Sequence, residues 1–297
     1  MNWTGFLLLS AVFLALYDLA KKASVRENAV LPVLLCSTSF GCLAFTLGLV
    51  ACGQFNAVCA SVNGRVLALS TAKAIIVAIS WIFTFCALRT LPITIATPIR
   101  ASSPALVFVI ALFLYGEIPS WIQAVGMVAV FVGYWVFSWA GRYEGINFFR
   151  NRAVWCAIAG ACCSAVSSIL DKYVFQIAAH ELNVAAPIAA LQFFFQIMLV
   201  VLYATFWGGQ YVLRLPRAHF QWRWTIPFVG TFLAVSDCLL FNGLSFPDVP
   251  VSVAALLRRF SVVLTFILGA KFFHETNLKR KSVALAVVVV GVILLCI

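Results

Sequence analysis

Charged residues are scarce in this chain, making up only 10% of its 297 positions. Hydrophobic residues make up 64%, and a chain of this composition cannot cover a folded surface with polar groups in water. The composition therefore excludes a soluble globular protein. It predicts an integral, multi-pass membrane protein with little chain outside the bilayer, because one spanning helix takes about 20 residues.

Motifs that enzymes and ATP-driven pumps need are absent as well. The sequence has no Gly-x-x-x-x-Gly-Lys-Ser/Thr loop and no Gly-x-Ser-x-Gly segment, which argues against ATP hydrolysis and against a serine hydrolase. Its three histidines include no pair at zinc-protease spacing, and no two of its ten cysteines form a Cys-x-x-Cys motif. We therefore predict a protein that is not an enzyme, with no catalytic residue, no metal and no cofactor.

The most informative pattern in the sequence is an internal repeat. The stretch Pro92–Glu117 recurs as Pro250–Glu275 at a constant offset of 158 positions, without a gap. Its identities include Arg100 with Arg258. Two apolar helices would not share a buried arginine and a terminal glutamate through composition alone, so we infer an internal duplication.

Ten apolar spans are predicted, and the polar segment 141–152 divides them into two sets of five. The predicted spans are residues 3–22, 30–53, 67–90, 92–115, 119–140, 153–177, 184–207, 224–246, 249–272 and 279–297. Because an odd number of spans turns the second copy over in the membrane, the repeats are expected to be inverted. The predicted fold is all-α, with a first five-helix repeat at residues 1–145 and a second at residues 146–297.

Positive charge outweighs negative charge, with 20 basic against 9 acidic residues. The bases lie mainly between apolar runs, where the positive-inside rule explains them better than nucleic-acid binding does. They collect in the connections after spans one, five, seven and nine, with Arg89 after span three. We expect this side to face the cytoplasm in a cell (inner) membrane, with the lipid bilayer and no nucleic acid as partner.

Two segments resemble the end of an EamA domain of the drug/metabolite transporter superfamily. The first is Leu91–Pro104 followed by Gly116 and Glu117, and the second runs from Val249 to Glu275. The resemblance covers the whole chain as two five-helix domains. It implies a secondary transporter that moves a small metabolite by alternating access between the halves, acting as a monomer or weak dimer.

The repeated arginines are the first candidates for a substrate site. Arg100 and Arg258 lie at the same depth of the two copies, and a charge deep in a span must face protein or water because an ion in hydrocarbon costs about 3 kcal/mol or more. One interpretation is contact with the substrate. The other is that each arginine locks its helix to a carboxylate or to carbonyls at the closed gate.

Asp237 is the most isolated acid within a predicted span. Its functional interpretation is a proton-coupling or cation-contact group, since desolvation penalises a carboxylate without a partner. The alternative is a salt bridge to Arg258 or Arg259 on the next helix. Nearby Asn242 either adds a polar group to the substrate site or bonds between helices.

Asp18 and Asp171 are the other acids within spans that we single out. Asp18 precedes Lys21 and Lys22 by three and four residues, a spacing that places an ion pair on one helical face. Asp171 with Lys172 fills the comparable place in the sixth span. Both a structural ion pair and a gating or coupling role are open for these groups.

Lys73 and Trp81 lie two turns apart in the third span, close to one face. A cation beside an aromatic ring would suit an anionic or aromatic metabolite. The alternative for Lys73 is contact with lipid phosphate at a helix end.

The sequence as a whole points to a permease for a small-molecule substrate, with a proton as the candidate coupling ion. The substrate-binding candidates are Arg100, Arg258, Lys73, Trp81 and Asn242, and the coupling or gating candidates are Asp237, Asp18 and Asp171. One alternative is a flippase for lipid or lipid-linked head groups, which would require a cavity open sideways to the bilayer. A second is a membrane-embedded enzyme, which would require a clustered acid and nucleophile.

Overall fold

The computed structural model describes residues 3–101, 103, 105–107, 110, 120–142, 150–181, 187–213, 218–244, 246 and 251–295. These residues form eleven helices and, over the described ranges, no β-strand. The all-α prediction is therefore confirmed for this part of the chain.

The helices follow the predicted spans closely. In the first half they are α1 (Trp3–Val25), α2 (Val30–Ala51), α3 (Phe55–Ala60), α4 (Gly64–Thr90), α5 (Ile93–Ala101) and α6 (Trp121–Arg142). In the second half they are α7 (Arg152–Glu181), α8 (Pro187–Val212), α9 (Thr225–Leu244), α10 (Val251–Phe272) and α11 (Leu278–Leu295). The short helix α3 was not predicted, and most of the predicted span 92–115 beyond α5 lies outside the described residues.

Local side-chain bonds fix two of the helix starts. The Asn63 side chain accepts a hydrogen bond from the Val66 amide at 2.8 Å at the start of α4. The Asn151 side chain accepts a hydrogen bond from the Ala153 amide at 2.9 Å at the start of α7. Such caps satisfy amides that have no carbonyl partner in the first turn.

Five helical segments are long and apolar enough to cross a membrane. They are Trp3–Val25, Val30–Ala51, Gly64–Thr90, Arg152–Leu170 and Ala189–Val212, with mean hydropathies of 1.7 to 2.0. Two shorter apolar segments, Trp121–Phe137 and Thr225–Leu240, accompany them. The chain is thus a multi-pass membrane protein.

The two halves of the chain pack against each other along their lengths. α1 packs along α9, α4 along α7 and α6 along α11, while α2 contacts both α8 and α9. Serines bond across two of these crossings: Ser10 donates to the Ser236 carbonyl at 2.8 Å, and Ser80 donates to the Gly160 carbonyl at 2.8 Å.

Small residues allow several helices to approach at backbone distance. A Cβ atom on Gly126 would lie 2.8 Å from the Gly291 carbonyl oxygen, and a Cβ on Gly160 would lie 2.7 Å from the Thr84 hydroxyl. Both glycines therefore support close helix packing. The tightest crossing was not predicted: a Cβ on Gly230 of α9 would lie 2.0 Å from a backbone oxygen of α2.

One end of the helix bundle gathers the basic connections. Arg223, which precedes α9, donates to the Ala23 carbonyl near the end of α1 at 2.6 Å. A pocket at the same end brings together Glu27 after α1, Arg89 at the end of α4 and Arg152 at the start of α7. We call this the basic end, and its grouping agrees with the charge pattern of the sequence.

The close helix packing at Gly230 predicts that alanine destabilises the protein at this glycine but not at a glycine without close neighbours. We expect Gly230→Ala to lower the thermal unfolding temperature in detergent, because overpacking a rigid backbone contact costs about 1–3 kcal/mol. Gly208→Ala in α8 is the matched control, since a Cβ at Gly208 meets no atom within 4 Å and alanine favours a helix by about 0.5–1 kcal/mol over glycine. Equal unfolding temperatures for the two variants would contradict this packing.

Candidate functional site

A cavity of about 120 Å³ lies where helices of the two halves meet, and we call it the central cavity. Its walls come from α1, α2 and α4 of the first half and from α8, α9 and α10 of the second. The polar lining residues are Ser37, Thr38, Gln192, Gln196, Asp237 and Arg258, and the aromatic ones are Tyr17, Trp81, Phe85 and Phe195.

An ion pair lies in the wall of the central cavity. Asp237 Oδ1 on α9 and Arg258 Nη2 on α10 are 2.6 Å apart, and their side chains are 17% and 29% exposed. The salt bridge considered from the sequence is thus present. Because both side chains also line the cavity, a molecule inside it can reach either charge.

The other repeated arginine belongs to a cluster behind the cavity wall. Arg100 Nη2 bonds to Asp18 Oδ2, and Lys21 Nζ lies 2.8 Å from Asp18 Oδ1. The Asp18 and Lys21 side chains are only 3% and 1% exposed. Lys21 also lies 4.3 Å from the centre of the Tyr17 ring and 5.8 Å from that of Phe85, both of which line the cavity.

The two copies of the sequence repeat therefore share an arginine, but the two arginines have different carboxylate partners. Arg100 pairs with a carboxylate on α1, whereas Arg258 pairs with a carboxylate on α9. The predicted ion pair between Asp18 and Lys21 is confirmed, and so is the expectation that each arginine holds a carboxylate. Of the two pairs, only Asp237 and Arg258 belong to the lining of the central cavity.

The remaining candidates divide into three groups. Trp81 lines the central cavity, and Lys73 Nζ lies 4.8 Å from the ring centre of the lining residue Phe195. Asn242 is exposed outside the cavity lining and donates to the Cys238 carbonyl of its own helix at 2.8 Å. The backbone of Asp171 belongs to α7, while its side chain lies outside the described part of the structure.

Two glutamines in the cavity wall were missed by the sequence analysis. Gln192 and Gln196 lie four residues apart on α8 and so share one helical face. Two amides one turn apart in an apolar span are a detectable signal, because polar groups in hydrocarbon require a partner or water. Neither glutamine stands near an ionisable residue in the sequence, which is the signal by which the other candidates were selected.

A second polar cluster, at the basic end, ties the halves together. Glu275 Oε1 accepts the Ile93 amide at 2.6 Å, and Oε2 accepts both the amide and the hydroxyl of Thr94. Lys281 Nζ lies 3.6 Å from Glu275 Oε2. The glutamate that ends the second repeat copy therefore caps the helix that carries Arg100, where a negative charge is favourable. Its counterpart Glu117 lies outside the described residues.

Lys22 caps the C-terminal end of α4. Its Nζ donates to the carbonyls of Leu88 and Leu91 at 2.6 and 2.5 Å. These oxygens lie at the end of α4, where carbonyls have no helical partner. Lys22 is therefore a structural cap, a role distinct from the ion pair considered for it from the sequence.

A solved structure resembles this chain over nearly its whole length. It is described only as "Crystal structure of protein", and it aligns with 99% of this chain and 97% of its own at a TM-score of 0.60 and 16% identity. This likeness concerns the fold alone. No curated protein matches the sequence.

The N-terminal part of the chain matches a known family model. Residues 1–139 match the model of the EamA-like transporter family. The matched part contains α1, α2, α4 and α5, and with them Asp18, Trp81 and Arg100. The resemblance inferred from the sequence therefore agrees with the family model over residues 1–139.

Proposed function

We propose that the protein is a secondary transporter that moves a small metabolite by alternating access, with the central cavity as its substrate site. The observation that carries the proposal is the Asp237–Arg258 ion pair in the wall of a cavity that both halves build.

The helix contacts support ten spans arranged as two inverted repeats. The first span, α1, packs along the eighth, α9, and the third, α4, packs along the sixth, α7. A twofold relation between the halves would exchange span one with span six and span three with span eight. It would therefore convert the first of these pairs into the second. Both crossings also carry a serine hydroxyl bonded to a backbone carbonyl of the facing helix.

The ion pair offers a route to coupling. Two charges removed from water stabilise each other, and breaking their pair leaves an uncompensated ion at high cost. Protonation of Asp237 would release Arg258, and an anionic substrate group would then satisfy the free guanidinium. We propose Asp237 as the proton-coupling group and Arg258 as the substrate contact, with Trp81 as an apolar wall.

Most of the remaining candidates have supporting roles in this proposal. Asp18 with Arg100 and Lys21 is a gating cluster behind the wall, and Asp171 is its candidate counterpart in the second half. Lys73, beside the lining residue Phe195, is a peripheral substrate contact. Asn242 has no place in the proposed site, because it is exposed outside the cavity lining. We propose that the chain acts without enzymatic activity as a monomer or weak dimer in the cell (inner) membrane, with the basic end facing the cytoplasm.

Thermal stabilisation by a metabolite panel tests the substrate site. A ligand that prefers the folded protein raises its unfolding temperature. We expect a hit among amino acids, nucleosides, sugars, sugar phosphates or organic anions, and we expect Asp237→Asn to abolish that shift or its pH dependence. Glu27→Gln, which removes an exposed carboxylate outside the cavity, is the control. Stabilisation by polar metabolites that persists unchanged in Asp237→Asn would contradict the site.

Coupling is tested in proteoliposomes with the substrate found in this way. Asp237→Asn is expected to lose uptake driven by a proton gradient and to retain substrate exchange, because its side chain no longer binds and releases a proton. Full retention of proton-driven uptake would remove Asp237 from the coupling mechanism.

The two arginines are expected to respond differently to lysine. Lysine keeps the charge but loses the planar fork of the guanidinium. Arg258→Lys should weaken substrate binding about tenfold, the effect of losing one charge-assisted hydrogen bond of roughly 1.5 kcal/mol. Arg100→Lys should lower the unfolding temperature and leave affinity near the wild-type value, since Arg100 is outside the cavity lining. Calorimetric titration measures the substrate affinity of both variants, and thermal unfolding measures their unfolding temperatures. Equal losses of affinity would contradict the assignment.

A further inference from the structure

A second cavity system lies at the basic end, away from the central cavity. A groove of about 700 Å³ runs between the start of α2 and the ends of α4 and α8. None of its lining residues belongs to the lining of the central cavity. It is therefore a separate surface, and we call it the basal groove.

The long walls of the basal groove are apolar and aromatic. On α4, Ile79 and Phe83 lie on one face that ends at Arg89, and α8 contributes Trp207 and Tyr211. From Ile79 to Arg89 the helix rises about 15 Å, which is half of the roughly 30 Å hydrocarbon core. The apolar wall thus matches the depth of a single leaflet, with tryptophan and tyrosine of the kind that occupies the interface.

The groove opens into a polar pocket at its outer end. Cys86 and Arg89 line both the groove and a pocket of about 660 Å³ that also contains Glu27, Asn151 and Arg152. The two cavities therefore adjoin, and the first is lined mainly by apolar side chains and the second by polar and charged ones. This division matches the two parts of a phospholipid.

The charge of the polar pocket indicates that a lipid bound there would have an anionic head group. Arg89 and Arg152 are both exposed, and neither forms an ion pair with another described residue. Guanidinium groups suit phosphate oxygens because their donors are arranged as a planar fork. The two arginines outweigh the single carboxylate of Glu27, so the pocket is complementary to a head group with one net negative charge.

We propose that the basal groove and its polar pocket form a binding site for one anionic phospholipid. An acyl chain lies along the Ile79 and Phe83 face, and the phosphate lies between Arg89 and Arg152. The Asn151 amide and the Gln210 amide, which also lines the groove, supply further donors. The lipid is a resident ligand of the folded protein and is independent of the transported substrate.

Native mass spectrometry of the purified full chain tests this site. Phosphatidylglycerol, phosphatidylcholine with the same acyl chains, and glycerophosphoglycerol without chains are titrated in a neutral detergent. We expect tight binding of one phosphatidylglycerol, weaker binding of phosphatidylcholine and little binding of the chain-free head group. Equal binding of the two lipids would overturn the proposal, and equal binding of the head group alone would show a free-anion site without a role for the groove.

Matched variants locate the site. Arg89→Gln and Arg152→Gln should each weaken phosphatidylglycerol binding about fivefold, the effect of one basic residue on an anionic lipid. Arg65→Gln is the control, because Arg65 is exposed near the opposite end of α4, about 36 Å from Arg89 along the helix. Unchanged binding in both test variants, or an equal loss in the control, would overturn the assignment. Each variant is first shown to unfold at the wild-type temperature, as exposed residues lead us to expect.

Discussion

The cost of an ionic charge in hydrocarbon organises this molecule more than any other constraint. An unpaired ion within a span costs about 3 kcal/mol or more, and the helices are arranged so that their charges meet. Arg100 joins α5 to α1 through Asp18, and Arg258 joins α10 to α9 through Asp237. Each pair joins two helices of the same half, and one of the pairs borders the central cavity.

The ion pairs of Arg100 and Arg258 explain why a repeated sequence forms an asymmetric site. The repeat supplies an arginine at the same depth in each half, but the partners sit on helices that are not equivalent. In one pair the Asp18 carboxylate is buried beside Lys21, and the other pair faces the cavity. A transporter built in this way has one charge pair available to a substrate and another that holds the helices around it.

Much of the fold and part of the site could be predicted because the sequence offers few alternatives. With so few acids within spans, Asp237 was assigned the neighbouring arginines as partners and Asp18 its own lysines. The bond from Arg100 to Asp18 was not predicted. The rotation of each helix was harder to infer. Gly230, Leu233, Ala234 and Asp237 form one stripe that lines the cavity, whereas Asn242 is about 140° further round α9 and is exposed outside it. Depth in a span is visible in a sequence, but the facing direction depends on neighbours that only the packing reveals.

Access to the central cavity from both sides of the membrane is the most direct test of the account. A cysteine placed at Gln196, in a background with the native cysteines replaced, is exposed to a membrane-impermeant thiol reagent in proteoliposomes of known orientation. Alternating access predicts labelling from each side, with the ratio shifted by a bound substrate. Labelling from one side alone under every condition would contradict a transporter that works through this cavity.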